Sequence, residues 1–276
     1  MSIAAFLLVL VFFRSVSAEE RFFLETVEVF RVKRPQAEIK SSGKLRNDMP
    51  AENLKIFQKT VNRQAMSFPE TLFLEGKSEG RKVALTFDDG PDSWATDRIL
   101  DILASYEVKA TFFIVGVNAE FYGQRVRKMK NSGHAVAGHS FNHTDFRELT
   151  PERMFKEQIE PVNRLLLKLT GDAPDFFRPP YGVVTDEQIR YTAGKKMRMV
   201  NWSVDSFDWD DQYNGVSEII ARVMQYAHPG AIILLHCGGR ANNNTVLALP
   251  ELIQRLKDEK YSFATVPEML NVGAQH

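Results

Sequence analysis

The sequence predicts an α/β protein in which parallel strands form a (β/α) barrel, distorted or incomplete, with about seven strands. One observation is that short apolar runs alternate with amphipathic segments from Lys82 onward. Such alternation implies a parallel sheet with right-handed crossovers. A second observation is that polar clusters directly follow several apolar runs, which is where the sites of parallel α/β folds lie. A doubly wound open sheet is the alternative architecture.

The predicted strands are apolar runs bounded by turn residues. In chain order they read VALTF, TFFIVG, AVAG, FFRP, MRMVNWSV, AIILLH and SFATV. Helices are predicted where apolar residues recur on one helical face, in ATDRILDILASY, PERMFKEQIEPVNRLLLKLT, SEIIARVMQYA and TVLALPELIQRLKDE. Thr150-Pro151 and Thr185 are typical of helix starts.

The N-terminus has an apolar run over residues 3–13, which is too short to span a bilayer comfortably. The small residues VSA follow it, so we predict a signal peptide over residues 1–18. A retained anchor is the alternative, because no Lys or Arg precedes the run. Residues 19–80 are predicted to be a leader that packs loosely on a main domain of residues 81–276. The protein is expected to be exported, either to the periplasm or as a secreted protein.

The charge balance excludes two classes of partner. Lys and Arg together number 35, as do Asp and Glu, so the formal net charge is zero at pH 7. Neither nucleic acid nor an anionic membrane surface would attract such a chain electrostatically.

The single cysteine, Cys237, excludes an intramolecular disulfide. We expect a monomer that is not inserted in the membrane once the signal peptide is removed.

The stretch VALTFDDGPDS places two carboxylates, Asp88 and Asp89, directly after an apolar strand. Successive side chains of a strand point to opposite faces, so neighbours in a regular strand could not share one task. Gly90 and Pro91 end the strand at this point. A simple turn is one interpretation, because Asp, Gly and Pro are common turn residues. The alternative is a pair of functional carboxylates at a strand end.

The segment HSFNH places His139 and His143 four residues apart, after the predicted strand AVAG. Two histidines at this spacing share one face if the segment makes a helical turn. Two neutral imidazoles and one carboxylate form a common hydrolytic zinc set that leaves one position open for water. The spacing alone is weak evidence. His134 and His228 are isolated in the sequence and are interpreted as structural.

Three more polar clusters follow predicted strands, namely RPPY from Arg178, DSFDW from Asp205, and ILLHC with His236. Each has an ordinary structural interpretation, such as a surface ion pair or a satisfied core histidine. Coincidence is a poor explanation for five polar clusters after five strands, because barrel geometry would gather them in one cleft.

The order and identity of these clusters resemble the polysaccharide deacetylase family, also called carbohydrate esterase family four or the NodB-homology family. The resemblance extends from about Lys82 to Leu270 and includes TFDDGPD, HSFNH, RPPY, DSFDW and LLH. It implies that Asp89, His139 and His143 bind a divalent metal, most often zinc, with cobalt or another transition metal as alternatives. It also implies that Asp88 is the general base.

The resemblance assigns the remaining motif residues as well. His236 would be the general acid that protonates the leaving amine. Arg178 resembles the arginine that positions the base, and Asp208 resembles the carboxylate that orients the acid. Substrate contacts are implied for Tyr181 through its backbone N–H, for Trp209 and Leu234 around the acetyl methyl, and for Trp94 as an aromatic that stacks on a sugar.

The implied activity is metal-dependent removal of N-acetyl groups from N-acetylglucosamine residues of an extracytoplasmic polysaccharide, with peptidoglycan favoured. Chitin-type oligomers, N-acetylmuramic acid and O-acetylated xylan stay open, because the motifs contact the acetyl group rather than the polymer. A sugar-binding protein that kept the fold without activity is the alternative from another class. Such a protein should have lost a ligand, the base or the acid, whereas here all are present.

Overall fold

The computed structural model describes residues 52–77, 80–238 and 242–270, and their strands form one sheet of parallel pairs. The order across the sheet is β1-β6-β5-β4-β3-β2-β8-β7, and β9 pairs with the start of β2. Among these residues no pairing joins the edge strands β1 and β7, and the sheet curls into a half-barrel. The predicted incomplete parallel barrel is confirmed. The strands are β1 (Leu72–Phe73), β2 (Lys82–Asp88), β3 (Thr111–Val115), β4 (Ala135–Ser140), β5 (Phe176–Phe177), β6 (Arg198–Val200), β7 (Val204–Asp205), β8 (Ala231–His236) and β9 (Ser262–Phe263).

Helices connect most of the strands, as the alternating pattern predicts. The helix after β5 begins with a capping box in which Thr185 and Gln188 exchange side-chain and backbone hydrogen bonds, so the predicted start is confirmed. A six-residue π-helical segment, Met154–Ile159, lies between two α-helical stretches of one predicted helix. The α-helices are α1 (Glu52–Ser67), α2 (Ala95–Ser105), α3 (Gly116–Asn131), α4 (Pro151–Arg153), α5 (Glu160–Thr170), α6 (Asp186–Gly194), α7 (Val216–Tyr226), α8 (Asn242–Asp258) and α9 (Val266–Leu270).

Successive side chains of β2 point to opposite faces of the sheet and join two different apolar clusters. Val83, Leu85 and Phe87 point outward and join a large cluster with the surrounding helices. Ala84 points inward and joins a smaller cluster inside the half-barrel, which also contains Leu234 of β8. The inward-facing row continues with Thr86 and ends at Asp88, so the strand changes from apolar to polar only on its inner face.

Two predicted elements differ from the structure. The run MRMVNWSV forms two strands, β6 and β7, rather than one. The break occurs because the carbonyl groups of Val200 and Asn201 accept hydrogen bonds from the guanidinium of Arg178. Helix α3 was not predicted, since its sequence has little apolar periodicity and departs from helical geometry at Tyr122.

The part of the predicted leader that the structure describes packs firmly rather than loosely. Phe57, Val61 and Leu72 are buried in an apolar cluster, and β1 pairs in parallel with β6. The predicted limits at residues 18 and 80 stay predictions. The predicted signal peptide and the leader up to residue 51 lie outside the described residues. No helix within the described ranges is both long and apolar enough to cross a membrane.

Candidate active site

Polar side chains from five strand ends meet at the carboxyl edge of the sheet. Asp88 ends β2 and lies in register with His236 at the end of β8. His139 lies near the end of β4, and Arg178 directly follows β5. Asp208 follows β7 after a short turn and contacts His236. The clusters that the sequence predicts to share one cleft are therefore brought together.

Three side chains at this edge form a candidate metal site. Asp89 Oδ1 lies 3.1 Å from His143 Nε2 and 3.5 Å from His139 Nε2. Their ligand atoms all lie within 4.8 Å of one another. His139 Nδ1 lies 2.8 Å from the carbonyl oxygen of Arg178. Because that oxygen can only accept, Nδ1 donates and Nε2 presents its lone pair to the site.

The backbone at Asp89 explains how adjacent carboxylates reach different partners. Asp88 stays on the inner face of β2, whereas Asp89 has a left-handed φ of 71° that directs its side chain to the histidines. Asn118 Nδ2 donates to the Asp89 carbonyl over 2.7 Å. A Cβ at Gly238 would lie 2.3 Å from the same carbonyl, so this close approach requires glycine. The pair is more than a turn.

The donor set fits a divalent transition metal. Asp89 Oδ1 is buried and accepts no well-aligned hydrogen bond within the described residues. Burial opposes its ionisation, but His143, His236 and His139 outweigh burial and hold the pKa of Asp89 well below its usual range. Burial lowers the pKa of His139 to about 4, so its ring is neutral at pH 7. One carboxylate with two neutral imidazoles is a common three-ligand set of hydrolytic zinc sites.

Asp88 lies beside this site and is held by a buried arginine. Arg178 Nη1 donates to Asp88 Oδ1 over 2.7 Å and to Thr86 Oγ1 over 2.8 Å. Arg178 contacts Asp88 through one nitrogen only, because the other guanidinium nitrogens donate to main-chain carbonyls on the β6 side. The guanidinium also lies 4.1 Å from the ring centroid of Phe113. Asp88 Oδ2 lies 3.8 Å from His139 Nε2 and faces the candidate metal site.

His236 has a carboxylate partner of its own. Its Nδ1 lies 2.7 Å from Asp208 Oδ1, and its backbone N–H donates to Asp208 Oδ2 over 2.8 Å. Thr245 of α8 also donates to Asp208 Oδ2. Burial lowers the pKa of His236, but Asp208, with smaller contributions from Asp89 and Asp88, raises it to about 9. The imidazolium form is therefore favoured at neutral pH.

We expect Asp208→Asn to move the alkaline limb of the pH–rate profile to lower pH. The substitution removes the charge that raises the pKa of His236. His236 then loses its proton at lower pH, and a general acid works only when protonated. The measurement is kcat/KM against pH, together with the metal content of the variant. A limb that stays in place would contradict the assignment of Asp208 as the partner of His236.

Asp205, from the same DSFDW motif, has a different environment. Its oxygens accept hydrogen bonds from the indole N–H groups of Trp202 and Trp209 and from the Phe207 backbone. Burial raises the pKa of Asp205 to about 7. Its contacts fix the loop between β7 and α7, whereas Asp208 contacts the histidine.

The predicted substrate contacts occupy different positions around the site. Tyr181 has a left-handed φ of 59°, and its ring centroid lies 4.9 Å from that of His143. Leu234 is buried in the inner core together with part of Trp209. Trp94 is 38% exposed, and the guanidinium of Arg98 lies 4.3 Å from its ring centroid. Their roles toward substrate stay predictions.

The remaining sequence interpretations concern residues outside the motifs. His134 Nδ1 accepts the Ala110 N–H, and His228 Nε2 pairs with Glu75 Oε2 over 3.0 Å, which are structural contacts. Cys237 is buried, and burial raises the pKa of its thiol. Sequence reasoning missed the contacts of Asn118 and Thr245, because no motif marks either position.

Known proteins are similar to this chain in sequence and in fold. The family model described as "Polysaccharide deacetylase" matches residues 75–200. A peptidoglycan-N-acetylglucosamine deacetylase of Bacillus cereus is 37% identical over 198 residues, which are 70% of each chain. The peptidoglycan-N-acetylmuramic acid deacetylase PdaA of Bacillus subtilis is 30% identical and covers 78% of this chain and 84% of its own. A chitooligosaccharide deacetylase of Bradyrhizobium is 32% identical, over 68% of this chain and 90% of its own.

A solved structure agrees with these sequence matches. The crystal structure of the Bc1960 peptidoglycan N-acetylglucosamine deacetylase superposes with a TM-score of 0.73 at 34% identity. The match covers 77% of this chain and 100% of that chain. The five polar clusters, their convergence at the strand ends and these similarities lead to one conclusion. The chain belongs to the polysaccharide deacetylase family and is a deacetylase of the hydrolase class.

Proposed function

We propose that the protein removes N-acetyl groups from N-acetylglucosamine residues of an extracytoplasmic polysaccharide, most favourably peptidoglycan, with a zinc ion at Asp89, His139 and His143. The observation on which this depends is the arrangement of one carboxylate and two histidine rings beside two further side chains, each of which is held by its own partner. Asp88 is held by Arg178, and His236 is held by Asp208.

The proposed chemistry divides the work between these groups. A divalent metal at this site would polarise the acetyl oxygen and lower the pKa of a water molecule to about 7. Asp88 Oδ2 accepts the proton from the attacking water, while Arg178 holds the other oxygen. His236 donates a proton from Nε2 to the amine nitrogen, since its Nδ1 bonds to Asp208. Protonation is needed because an amine anion is a poor leaving group.

The relatives favour peptidoglycan as the polymeric substrate. Two of them are described as acting on peptidoglycan and one on chitooligosaccharides. Activity on N-acetylmuramic acid, chitin-type oligomers or O-acetylated xylan is the alternative within the same chemistry. An inactive sugar-binding protein is disfavoured, because the residues proposed as metal ligands, base and acid are all present and lie together. We further propose an exported monomer, periplasmic or secreted.

Acetate release from a panel of substrates tests the function. The panel contains peptidoglycan, chitin oligomers, acetylated xylan and monomeric N-acetylglucosamine. We expect peptidoglycan and oligomers to react much faster than the monomer. The loops at the carboxyl edge of the sheet can contact several sugars of a polymer at once. Product analysis of the peptidoglycan then distinguishes deacetylated glucosamine from deacetylated muramic acid. Equal rates on the monomer would contradict a polymer substrate.

Removal of the metal should abolish activity reversibly. Protein treated with a chelator and dialysed should release no acetate, and added zinc or cobalt should restore release. Magnesium is the control ion, since the two imidazole ligands suit transition metals rather than hard cations. Full activity in protein with no metal by elemental analysis would contradict the proposed chemistry.

A further inference from the structure

The loop that joins the two histidine ligands depends on one glutamine. This loop, residues 140–143, is called the histidine loop below. The N–H groups of Phe141 and Asn142 both donate to the side-chain oxygen of Gln158, over 3.1 and 3.2 Å. These bonds are partly shielded from solvent, where backbone N–H groups need a partner. Here one amide oxygen satisfies two consecutive donors.

The helix that carries Gln158 is irregular. It lies in the π-helical segment Met154–Ile159, and segments of this kind often occur at functional sites. Pro161 follows in the chain, and a proline in an α-helix interior would clash with the carbonyl four residues earlier. The helix also lies directly on β4, since a Cβ at Gly138 would be 2.8 Å from Val162 Cγ1. The strand that leads to the histidine loop therefore touches the helix that holds Gln158.

The histidine loop departs from regular backbone geometry. His143 has a left-handed φ of 61°, and its N–H donates to Ser140 Oγ over 2.7 Å. The left-handed region is costly for residues other than glycine and persists when surrounding contacts fix it. The rings of His139 and His143 have centroids 5.0 Å apart. A relaxed loop would change this separation and hence the spacing of the two ligands.

We propose that Gln158 is a positioning residue of the metal centre, which fixes the histidine loop so that His139 and His143 are preorganised for a metal. This inference rests on the proposed metal site. Gln158 is 5% exposed. A buried polar side chain costs free energy unless it is hydrogen-bonded, and the loop provides the bonds. Its oxygen is the atom that matters, because both contacts use the acceptor.

Two variants distinguish the effect of losing the hydrogen-bond acceptor of Gln158 from the effect of changing the shape of its side chain. Gln158→Met has similar length and no acceptor of comparable strength, whereas Gln158→Glu keeps an oxygen at the same position. Gln64→Met is the matched control, since Gln64 is also buried and donates to the Val184 carbonyl rather than to the histidine loop. Metal-free full-length proteins are titrated with zinc against a chromophoric chelator. Cobalt-loaded proteins are compared by their visible absorption bands.

We expect Gln158→Met to bind zinc about tenfold to a hundredfold more weakly, the usual effect of losing a group that orients metal ligands. Its cobalt bands should shift, while Gln158→Glu and Gln64→Met should match the unmodified protein in affinity and spectrum. Thermal unfolding of the metal-free proteins measures separately how much each substitution lowers the stability of the fold. Equal zinc affinity in Gln158→Met and Gln64→Met would overturn the inference and leave the proposed function standing. Absence of zinc binding in the unmodified protein would overturn both.

Discussion

Asp88→Asn should lower the turnover of acetate release about a hundredfold or more, which is the usual contribution of a general base, the role proposed for Asp88. The proposed metal should stay bound. The amide keeps the size of the carboxylate and its oxygen can still accept from Arg178 Nη1. It cannot take the proton of the attacking water. Asp88 is also outside the group of Asp89, His139 and His143, so the ligand set is unchanged.

Asp89→Asn is the contrasting variant, because it removes the proposed anionic ligand. Metal affinity should fall, and excess metal should restore part of the activity. Metal content by elemental analysis and acetate release are measured on both variants. Asp92→Asn is the control from the same stretch, since Asp92 accepts a hydrogen bond from the Thr96 N–H near the start of α2 and lies outside the proposed metal-binding group. Loss of metal in Asp88→Asn with retention in Asp89→Asn would show that the two assignments are reversed.

Arg178→Met should destabilise the fold by about 3–5 kcal/mol, the cost of removing one partner of a buried ion pair. Arg178 is completely buried and bonds to Asp88, Thr86 and two main-chain carbonyls. Without the guanidinium, the Asp88 carboxylate is left as an uncompensated buried charge. The free energy of unfolding in urea measures this loss.

A double-mutant cycle tests whether the charge is the cause. Asp88→Asn combined with Arg178→Met should cost less than the sum of the two single substitutions, because a neutral amide needs no cation beside it. Arg198→Met is the surface control. Arg198 pairs with Asp175 on a partly exposed part of the sheet, where such pairs contribute about 0–1 kcal/mol. Additive costs in the cycle would mean that Arg178 acts through packing and its main-chain bonds.

The sequence was sufficient to predict the site wherever a polar residue directly followed an apolar strand. Asp88, His139 and His236 fall in this class, because strand alternation and the carboxyl-edge rule place them without knowledge of long-range contacts. The metal assignment of Asp89 came from the family resemblance. The residue types alone could not show the left-handed turn that separates Asp89 from Asp88.

The supporting contacts could not be predicted from sequence. Asn118, Gln158 and Thr245 lie on helices. Asn118 contacts Asp89 and Thr245 contacts Asp208, whereas Gln158 contacts the backbone of the histidine loop. A polar residue on a helix is ordinary, so no local pattern distinguishes these three. The break between β6 and β7 was missed for a related reason, since it depends on Arg178, twenty or more residues earlier in the chain.

Strand β1 has a consequence for how the chain can be divided. A protein that began at residue 81, where the family-like motifs begin, would lack β1 and α1. The hydrogen-bonding edge of β6 would then be open, and apolar residues such as Phe177 and Ile189 would lose part of their cover. An open strand edge beside apolar surface is a template for self-association between molecules. The motifs of the candidate site therefore begin later in the chain than the packed fold does. We expect removal of α1 and β1 to lower the solubility of the protein.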